Sequence, residues 1–271
     1  FSLQLASVLS ASVLLFILYF LLRESAPLLN EIGVGSFFDK DWYPLDGEYG
    51  LTSMLLGSLY VALGAVLLAT PLGVIVAVFG QYYAPPVVAR IYHGMIELLA
   101  GIPSVVYGLW GLTMLVPWIT GWAPPGASVL AGIIVLAMMI LPLVVLTADA
   151  ALAKVPANYL RSAEALGLSR WAMIYRIALP VAMPGISSGV VLQSGRALGE
   201  TMAILMVTGN VVQIPSSWFQ PVRTLTANIA LEMSYAIGDH RLALFVSGLL
   251  LLLLTVALVS IANHLRRKEY A

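Results

Sequence analysis

An arginine and a glutamate stand four residues apart in the apolar segment SGRALGETMAILM, residues 194–206. If this segment crosses a bilayer, each charge is costly unless something compensates it. On a helix, Arg196 and Glu200 would lie one above the other and could form a charge-assisted hydrogen bond. The planar fork of a guanidinium also matches a tetrahedral oxyanion, so Arg196 is a candidate anion-binding group.

Four glycines share one face of the same predicted helix with these two charges. At about 100° per residue, all six positions fall within roughly 140° of arc. They are Gly185, Gly189, Gly195, Arg196, Gly199 and Glu200. Small residues allow a second helix backbone to approach, while the charges require a polar or protein-lined environment. The charged pair is therefore structural, pinning helix packing, or part of a pathway, and both roles can hold together.

A third charge within an apolar run is Glu97, in the segment MIELLAGIPSVVYG, residues 95–108. Glu97 and Arg196 each lie a similar number of residues from the same end of the bundle. At a helical rise of about 1.5 Å per residue they therefore reach comparable depth and could meet. Pro103 lacks a backbone donor and disfavours helical geometry at Ile102, which permits an interrupted helix that lines a cavity. An ordinary proline kink, with Glu97 near the interface, is the alternative.

The composition indicates a membrane protein. The chain has 271 residues, of which 61% are hydrophobic and 10% charged, and its mean hydropathy is +0.97. A formal net charge of zero gives no electrostatic case for a nucleic-acid partner, and the absence of cysteine excludes disulfides and Cys-ligated metals. The first apolar run lacks a small-residue cleavage pattern, so we expect a trimmed N-terminus and a retained first helix.

Six apolar runs are long enough to cross about 30 Å of hydrocarbon as helices, at roughly 20 residues each. They lie near residues 4–22, 51–80, 87–119, 127–148, 181–209 and 243–263. The sequence predicts an all-α membrane protein in which residues 1–271 form one transmembrane domain with an elbow at 150–180, between the fourth and fifth spans. We expect the chain to lie in a membrane, in contact with lipid.

The distribution of lysine and arginine predicts the orientation. The side that holds the segment between the fourth and fifth spans carries Arg90, Lys154, Arg161, Arg170, Arg176, Arg266, Arg267 and Lys268. The other side carries Arg23, Lys40, Arg223 and Arg241. Because positive charge is concentrated on the cytoplasmic side of membrane proteins, we expect both termini to be cytoplasmic.

The segment at 151–180 is predicted to form two short amphipathic helices. Pro156 suits a first helical turn, and Gly167 can take the left-handed conformation that ends a helix. The apolar stripe of the first helix comprises Tyr159, Leu160, Ala163 and Leu166. Ser169 can cap the second helix, which leads to Pro180. Two helices resting on lipid headgroups are the alternative interpretation.

This elbow resembles the EAA loop of ABC importer permeases, since Gly167 is followed ten residues later by Ile177, Ala178, Leu179 and Pro180. The resemblance implies that the helix before the glycine docks into a cleft on a cytoplasmic ATPase. The residues that it assigns to ATPase coupling are Tyr159, Arg161, Ser162, Ala163, Glu164, Leu166 and Gly167. The sequence departs from the motif where Glu-Ala-Ala is expected, because Arg161, Ser162 and Ala163 stand there and Glu164 follows.

Two further segments, GIPSVVYGLWG at 101–111 and RALGETMAILMVTGN at 196–210, resemble the phosphate-specific importer permeases. GETMA rather than GETAP favours the PstC-type subunit. The resemblance implies a six-span permease domain with the type I ABC importer fold, a cytoplasmic coupling-helix elbow at 150–180 and a place in the inner (plasma) membrane. It also implies a PstA-type permease partner, two PstB-type ATPase subunits that bind ATP and Mg, and an extracytoplasmic phosphate-binding protein. The chain itself would hold no cofactor and no metal. Arg196, Glu200 and Glu97 would line the translocation pathway for phosphate.

Three other functions compete with phosphate import. The first is import of another oxyanion, such as molybdate or sulfate. An intramembrane enzyme has little support, because His93, His240 and His264 are dispersed and the sequence contains no HExxH, GxSxG or P-loop motif. ATP hydrolysis would then belong to a partner. A passive anion channel would need no ATPase dock, which the elbow argues against.

The segment TLTANIALEMSYA, residues 224–236, has helical character. It could dock the extracytoplasmic binding protein. A helix that only packs within its loop is the simpler interpretation. The segment lies between the fifth and sixth predicted spans, on the outer side of the membrane.

Overall fold

The computed structural model describes residues 2–268, with side chains described for residues 4, 5 and 7–261. Its long helices are α1 (Ser2–Ile32), α2 (Thr52–Val78), α3 (Pro86–Ala100), α6 (Val129–Leu152), α9 (Leu179–Gly199) and α12 (Gly238–Lys268). Shorter helices are α4 (Ser104–Trp110), α5 (Val116–Thr120), α7 (Ala157–Ala165), α8 (Arg170–Met173), α10 (Met202–Val207) and α11 (Leu225–Glu232). Strands β1 (Trp42–Tyr43) and β2 (Glu48–Tyr49) form an antiparallel hairpin.

Within the described chain, five helices are long and apolar enough to cross a membrane. They span Ser7–Ile32, Thr52–Tyr83, Val129–Leu152, Arg170–Gly199 and Gly238–Ile261. A sixth span is broken, because Pro86–Ala100 and Ser104–Thr120 meet at 90°. The chain is therefore a helical membrane protein with up to six spans, which is the predicted fold class.

The third predicted span, 87–119, is a pair of separate helices and not a single helix with a mild kink. α3 ends at Gly101, and Pro103 precedes α4 with an extended ψ of 140°. Pro103 has no N–H to continue the helical ladder, so the chain turns there. The Tyr107 hydroxyl donates a hydrogen bond of 2.9 Å to the Leu99 carbonyl. The same carbonyl also accepts a hydrogen bond of 3.3 Å from the Ile102 amide, so Tyr107 adds a second donor at the end of α3.

The centre of the bundle is α6, which packs against α2 and α9. Its side chains Leu136 and Ile140 are fully buried. α12 packs against α9 on one side and α1 on the other, where Phe20 and Phe245 meet edge to face at 5.6 Å. α1 is the peripheral helix, since most of its apolar side chains are exposed.

The small face of α9 allows the close helix contact that its glycines predict, but only over its first half. A Cβ at Gly189 would lie 2.6 Å from Thr147 Cβ, and one at Gly185 would lie 2.7 Å from Ala151 Cβ. Both neighbours belong to α6. Gly195 and Gly199 leave room for a Cβ. The second half of this face therefore borders open space.

The elbow follows its predicted turn chemistry at two positions. Gly167 ends α7 with a φ of +73°, the left-handed conformation that favours glycine. The Ser169 hydroxyl accepts a hydrogen bond of 3.3 Å from the Ala172 amide and caps α8. These local bonds fix the position of α7 at the end of α6.

The second elbow helix does not end at Pro180, contrary to the prediction of two separate short helices. α8 continues through a π-turn, Ile174–Ala178, directly into α9. In this turn the Leu179 amide bonds to the Ile174 carbonyl, five residues back. The wider turn accommodates the missing N–H of Pro180 within a continuous helix. The second elbow helix and the fifth span are therefore one rod, Arg170–Gly199.

We predict that Gly189→Ala destabilises the chain by about 1–3 kcal/mol, because the added methyl overlaps Thr147 on α6. Thermal unfolding of the purified chain in detergent measures this. The matched control is Gly94→Ala on α3, where nothing lies within 4 Å of the added Cβ. The control gains helix propensity of about 1 kcal/mol without a clash. Equal melting temperatures for the two variants would contradict the close α6–α9 contact.

Candidate translocation site

Arg196 lies in the last turn of α9 with an exposed side chain. It lines a cleft of about 790 Å³ between α6, α9 and α12. The other lining residues include Leu143, Ser188, Gln193 and Thr255. In the described part of the chain, no carboxylate lies within 4 Å of the guanidinium. The site therefore presents an unneutralised cation to an open cleft.

The predicted ion pair between Arg196 and Glu200 is wrong. α9 ends at Gly199, and Glu200 has an extended ψ of 132°. The helical register that would stack the two side chains is therefore lost. The Glu200 carboxylate instead accepts a bond of 3.3 Å from the Ala203 amide at the start of α10, and its carbonyl accepts one of 2.9 Å from the Thr226 hydroxyl. Glu200 fixes a break in the fifth span, which was predicted to run to residue 209.

Glu97 does not join Arg196 either. Its side chain is exposed on α3, just before the 90° break. Among the side chains that the structure describes, no ion pair links it to Arg196. Its predicted depth in the third span would have allowed Glu97 to meet the arginine. The isolated chain instead leaves it on the surface of the broken span.

Sequence reasoning missed Gln193, which lies three residues before Arg196 on the same helix and lines the same cleft. Its side chain is only 4% exposed, and its Oε1 has no hydrogen-bond partner in the described structure. A buried amide without a partner costs free energy and is uncommon in folded proteins. The sequence signal that could have found it is its position three residues before Arg196, which places both side chains on one face of a helix. Gln193 adds a neutral donor and acceptor to the cleft.

The elbow residues separate into two faces. Ala163 is 1% exposed and packs with Met173 and Ile174 in the core beside α6. Tyr159 and Leu166 belong to the predicted apolar stripe, yet they are 48% and 80% exposed. The polar members, Arg161, Ser162 and Glu164, are exposed with Gly167. α7 is therefore anchored by Ala163 and the half-buried Leu160, and it presents a mixed apolar and charged outer face.

A buried polar network, also missed by sequence reasoning, closes the end of the bundle opposite the elbow. Glu232 is 7% exposed and accepts hydrogen bonds from Arg223 at 2.6 Å and Trp42 Nε1 at 2.9 Å. His240 Nε2 lies 2.8 Å from the same carboxylate. The segment at 224–236 therefore packs against α2, α12 and the β1–β2 hairpin. The network joins the β1–β2 hairpin, α11 and the start of α12.

Close beside this network, the burial of Tyr49 raises the pKa of its phenol, and the nearby carboxylates of Asp239 and Glu31 raise it further. Tyr49 packs edge to face against Trp42, with ring centroids 6.0 Å apart. The hydrogen-bonded network and this aromatic pair hold the hairpin against the helices. We therefore assign this region a structural role.

The fold and the cleft agree with what the chain resembles. Residues 69–269 match the family model described as binding-protein-dependent transport system inner membrane component. The match covers more than half of the chain, which therefore belongs to this family of transport permeases. It is an integral membrane protein of that class.

Two named relatives match most of this chain. A protein of Xylella fastidiosa (strain 9a5c) named "Phosphate transport system permease protein PstC" is 35% identical over 262 residues, covering 88% of this chain and 81% of the relative. "Probable ABC transporter permease protein YqgH" of Bacillus subtilis (strain 168) is 37% identical over 250 residues, covering 89% of this chain and 81% of the relative. In each comparison the similarity thus extends over most of both sequences.

A solved bacterial ABC transporter that imports the acidic polysaccharide alginate has the same fold. It matches with a TM-score of 0.64 and 18% sequence identity, over 98% of this chain and 97% of that chain. At this identity the match defines the architecture and not the transported substrate. The architecture is that of the membrane subunits of ABC importers.

We predict that Glu232→Ala lowers the free energy of unfolding by about 3–5 kcal/mol, because it leaves the partly buried Arg223 and His240 without their carboxylate. Thermal unfolding in detergent measures the loss. Glu48→Ala is the matched control, since Glu48 is exposed on β2. Equal stability of the two variants would show that the network does not hold this end of the bundle.

Proposed function

We propose that this chain is a membrane subunit of an ATP-driven importer that carries inorganic phosphate into the cell. The observation that carries the proposal is the unpaired guanidinium of Arg196 at an open cleft of a permease bundle. The name of the Xylella relative supports phosphate as the substrate. In an apolar bundle such a cation attracts an oxyanion strongly, because little solvent screens it.

Arg196 binds the oxyanion through its planar fork, which can donate two parallel hydrogen bonds. Gln193 contributes a neutral amide on the same side of α9. Glu200, four residues after Arg196, lowers the positive potential around the site without an ion pair to it, so that the anion is not held too tightly to leave. Glu97 lines the pathway from the surface of α3. Glu200 also fixes the break that ends α9 beside the arginine.

The transporter has three kinds of partner for this chain. A PstA-type permease completes the pathway, and two PstB-type ATPases bind ATP and Mg on the cytoplasmic side. An extracytoplasmic phosphate-binding protein delivers the anion. The chain itself catalyses no reaction, and both of its termini face the cytoplasm, as its lysine and arginine distribution favours.

The exposed face of α7 docks onto an ATPase subunit. Leu166 and Tyr159 supply apolar contact area, while Arg161, Ser162 and Glu164 supply polar contacts around it. Because α8 and α9 form one continuous rod, a displacement of the elbow is transmitted directly to the helix that carries Arg196. This is rigid-body coupling of the alternating-access kind.

We predict that Arg196→Gln reduces ATP-dependent uptake of labelled phosphate at least tenfold, because it removes the charge while keeping a polar side chain. Proteoliposomes that contain the complete importer measure uptake. Arg196→Lys retains the charge without the fork and should fall between the two. Arg241→Gln, an exposed arginine on α12, is the matched control and should transport like the unchanged protein.

Three outcomes of this assay would overturn the proposal in different ways. Normal uptake by Arg196→Gln would remove the role of the arginine. Competition by excess unlabelled sulfate or molybdate would keep the importer and change its substrate. Uptake without ATP would indicate a passive channel.

We predict that Leu166→Glu abolishes copurification of the ATPase while leaving the bundle folded, because Leu166 is 80% exposed and contributes little to the core. A charge at the centre of an apolar contact must be desolvated when the partner docks. Leu45→Glu is the matched control, since Leu45 is fully exposed in the β1–β2 hairpin, at the end of the bundle opposite the elbow. Retention of the ATPase by Leu166→Glu would exclude this face of α7 as the dock.

A further inference from the structure

A second cleft, of about 520 Å³, lies between α6 and α9 on the side toward the elbow. Its polar lining comprises Thr147, Lys154 and Ser188. Lys154 follows the end of α6 directly and is exposed. It is a cation that the resemblance to known permeases does not assign to any role.

The two clefts are adjacent along α9. Ser188 and Leu192 line both of them, so the cleft beside Arg196 borders the one beside Lys154. Gly185, at the elbow end of the second cleft, precedes Arg196 by 11 residues. At the rise of an α-helix this corresponds to a groove of about 16 Å along α9.

The groove is electrically one-sided. It has a cation at each end. The hydroxyls of Ser188, Thr147 and Thr255 beside them donate to carbonyls of their own helices, so the two cations are what attracts an anion. Within the described part of the chain, neither cleft has an aspartate or glutamate in its lining. Asp149, five residues before Lys154, pairs at 3.8 Å with His93 on α3, and Glu200, four residues after Arg196, bonds to the Ala203 amide.

The buried amide of Gln193 provides an independent reason to expect a ligand. It lines the Arg196 cleft at 4% exposure, with an oxygen that lacks a partner in the part of the chain described. An amide group can rotate to present either its oxygen or its two N–H donors. An anion in the cleft would receive such a donor beside the guanidinium.

We infer that the groove along α9 is the inward exit path of the transported oxyanion and that Lys154 is its second cationic station. This inference rests on the proposed function and adds a residue and a route to it. A single strong site would retain its anion, whereas conduction requires several sites that are each weak enough to leave. Lys154 attracts the anion from Arg196 toward the elbow end of the bundle.

The first test is turnover in proteoliposomes containing the complete importer. Lys154→Gln should lower the maximal rate of phosphate uptake about tenfold with little change in KM, since delivery to Arg196 is unaffected. Lys154→Arg should restore the rate. Lys40 is an exposed lysine at the end of the bundle opposite the elbow, and Lys40→Gln should leave both parameters unchanged.

The second test uses the absence of cysteine from the chain. In the same importer, with its other subunits cysteine-free, Ser188→Cys should react with a negatively charged methanethiosulfonate added from the elbow side. Inorganic phosphate should slow that reaction. Ser187→Cys is the matched control, because its neighbouring position lines neither cleft, and phosphate should not change its reaction rate.

The outcomes separate this inference from the proposed function. If the unchanged importer takes up no phosphate, the proposed function fails. If it takes up phosphate but Lys154→Gln does so equally well, or phosphate does not protect Ser188→Cys, the exit path is wrong. If Lys154→Gln lowers ATP hydrolysis and uptake together and Lys154→Arg does not rescue them, Lys154 supports the elbow and carries no anion.

Discussion

The positive charge of Arg196 within an apolar bundle is the constraint on which the arrangement of α6, α9 and α12 depends. A bilayer offers no water to solvate a guanidinium, so the protein must provide an open cleft or a counter-charge. In the described chain it provides the cleft. Of the four glycines on the small face of α9, Gly185 and Gly189 are in close contact with α6, while Gly195 and Gly199 are not. Space therefore remains beside the second half of α9, where the arginine lies.

Two helix breaks follow from the same need for polar groups at depth. Backbone away from helical geometry is tolerated in a membrane only where its donors and acceptors find partners. At the end of α3 the Tyr107 hydroxyl bonds to the Leu99 carbonyl. At the end of α9 the Glu200 side chain and carbonyl bond to the Ala203 amide and the Thr226 hydroxyl. Both breaks are thus supported by specific side chains.

Features that depend on neighbouring residues could be predicted from the sequence, whereas features that depend on distant contacts could not. Gly167 and Ser169 mark their turns through their own backbone preferences, and hydropathy alone locates most spans. The end of α9 was not predictable, because the Thr226 bond that supports Glu200 joins residues 26 apart. The same holds for Glu232, whose partner Trp42 is 190 residues away. The pairing of Arg196 with Glu200 failed because it assumed a helix that this distant contact interrupts.

The most direct measurement is a structure of the assembled importer, determined with phosphate present and the ATPases trapped in the nucleotide-bound state. The account predicts a tetrahedral anion within hydrogen-bonding distance of the Arg196 guanidinium, in the cleft that Gln193 also lines. A carboxylate of the partner permease paired with Arg196, with the anion elsewhere, would contradict it. The arginine would then be a structural cation of the subunit interface.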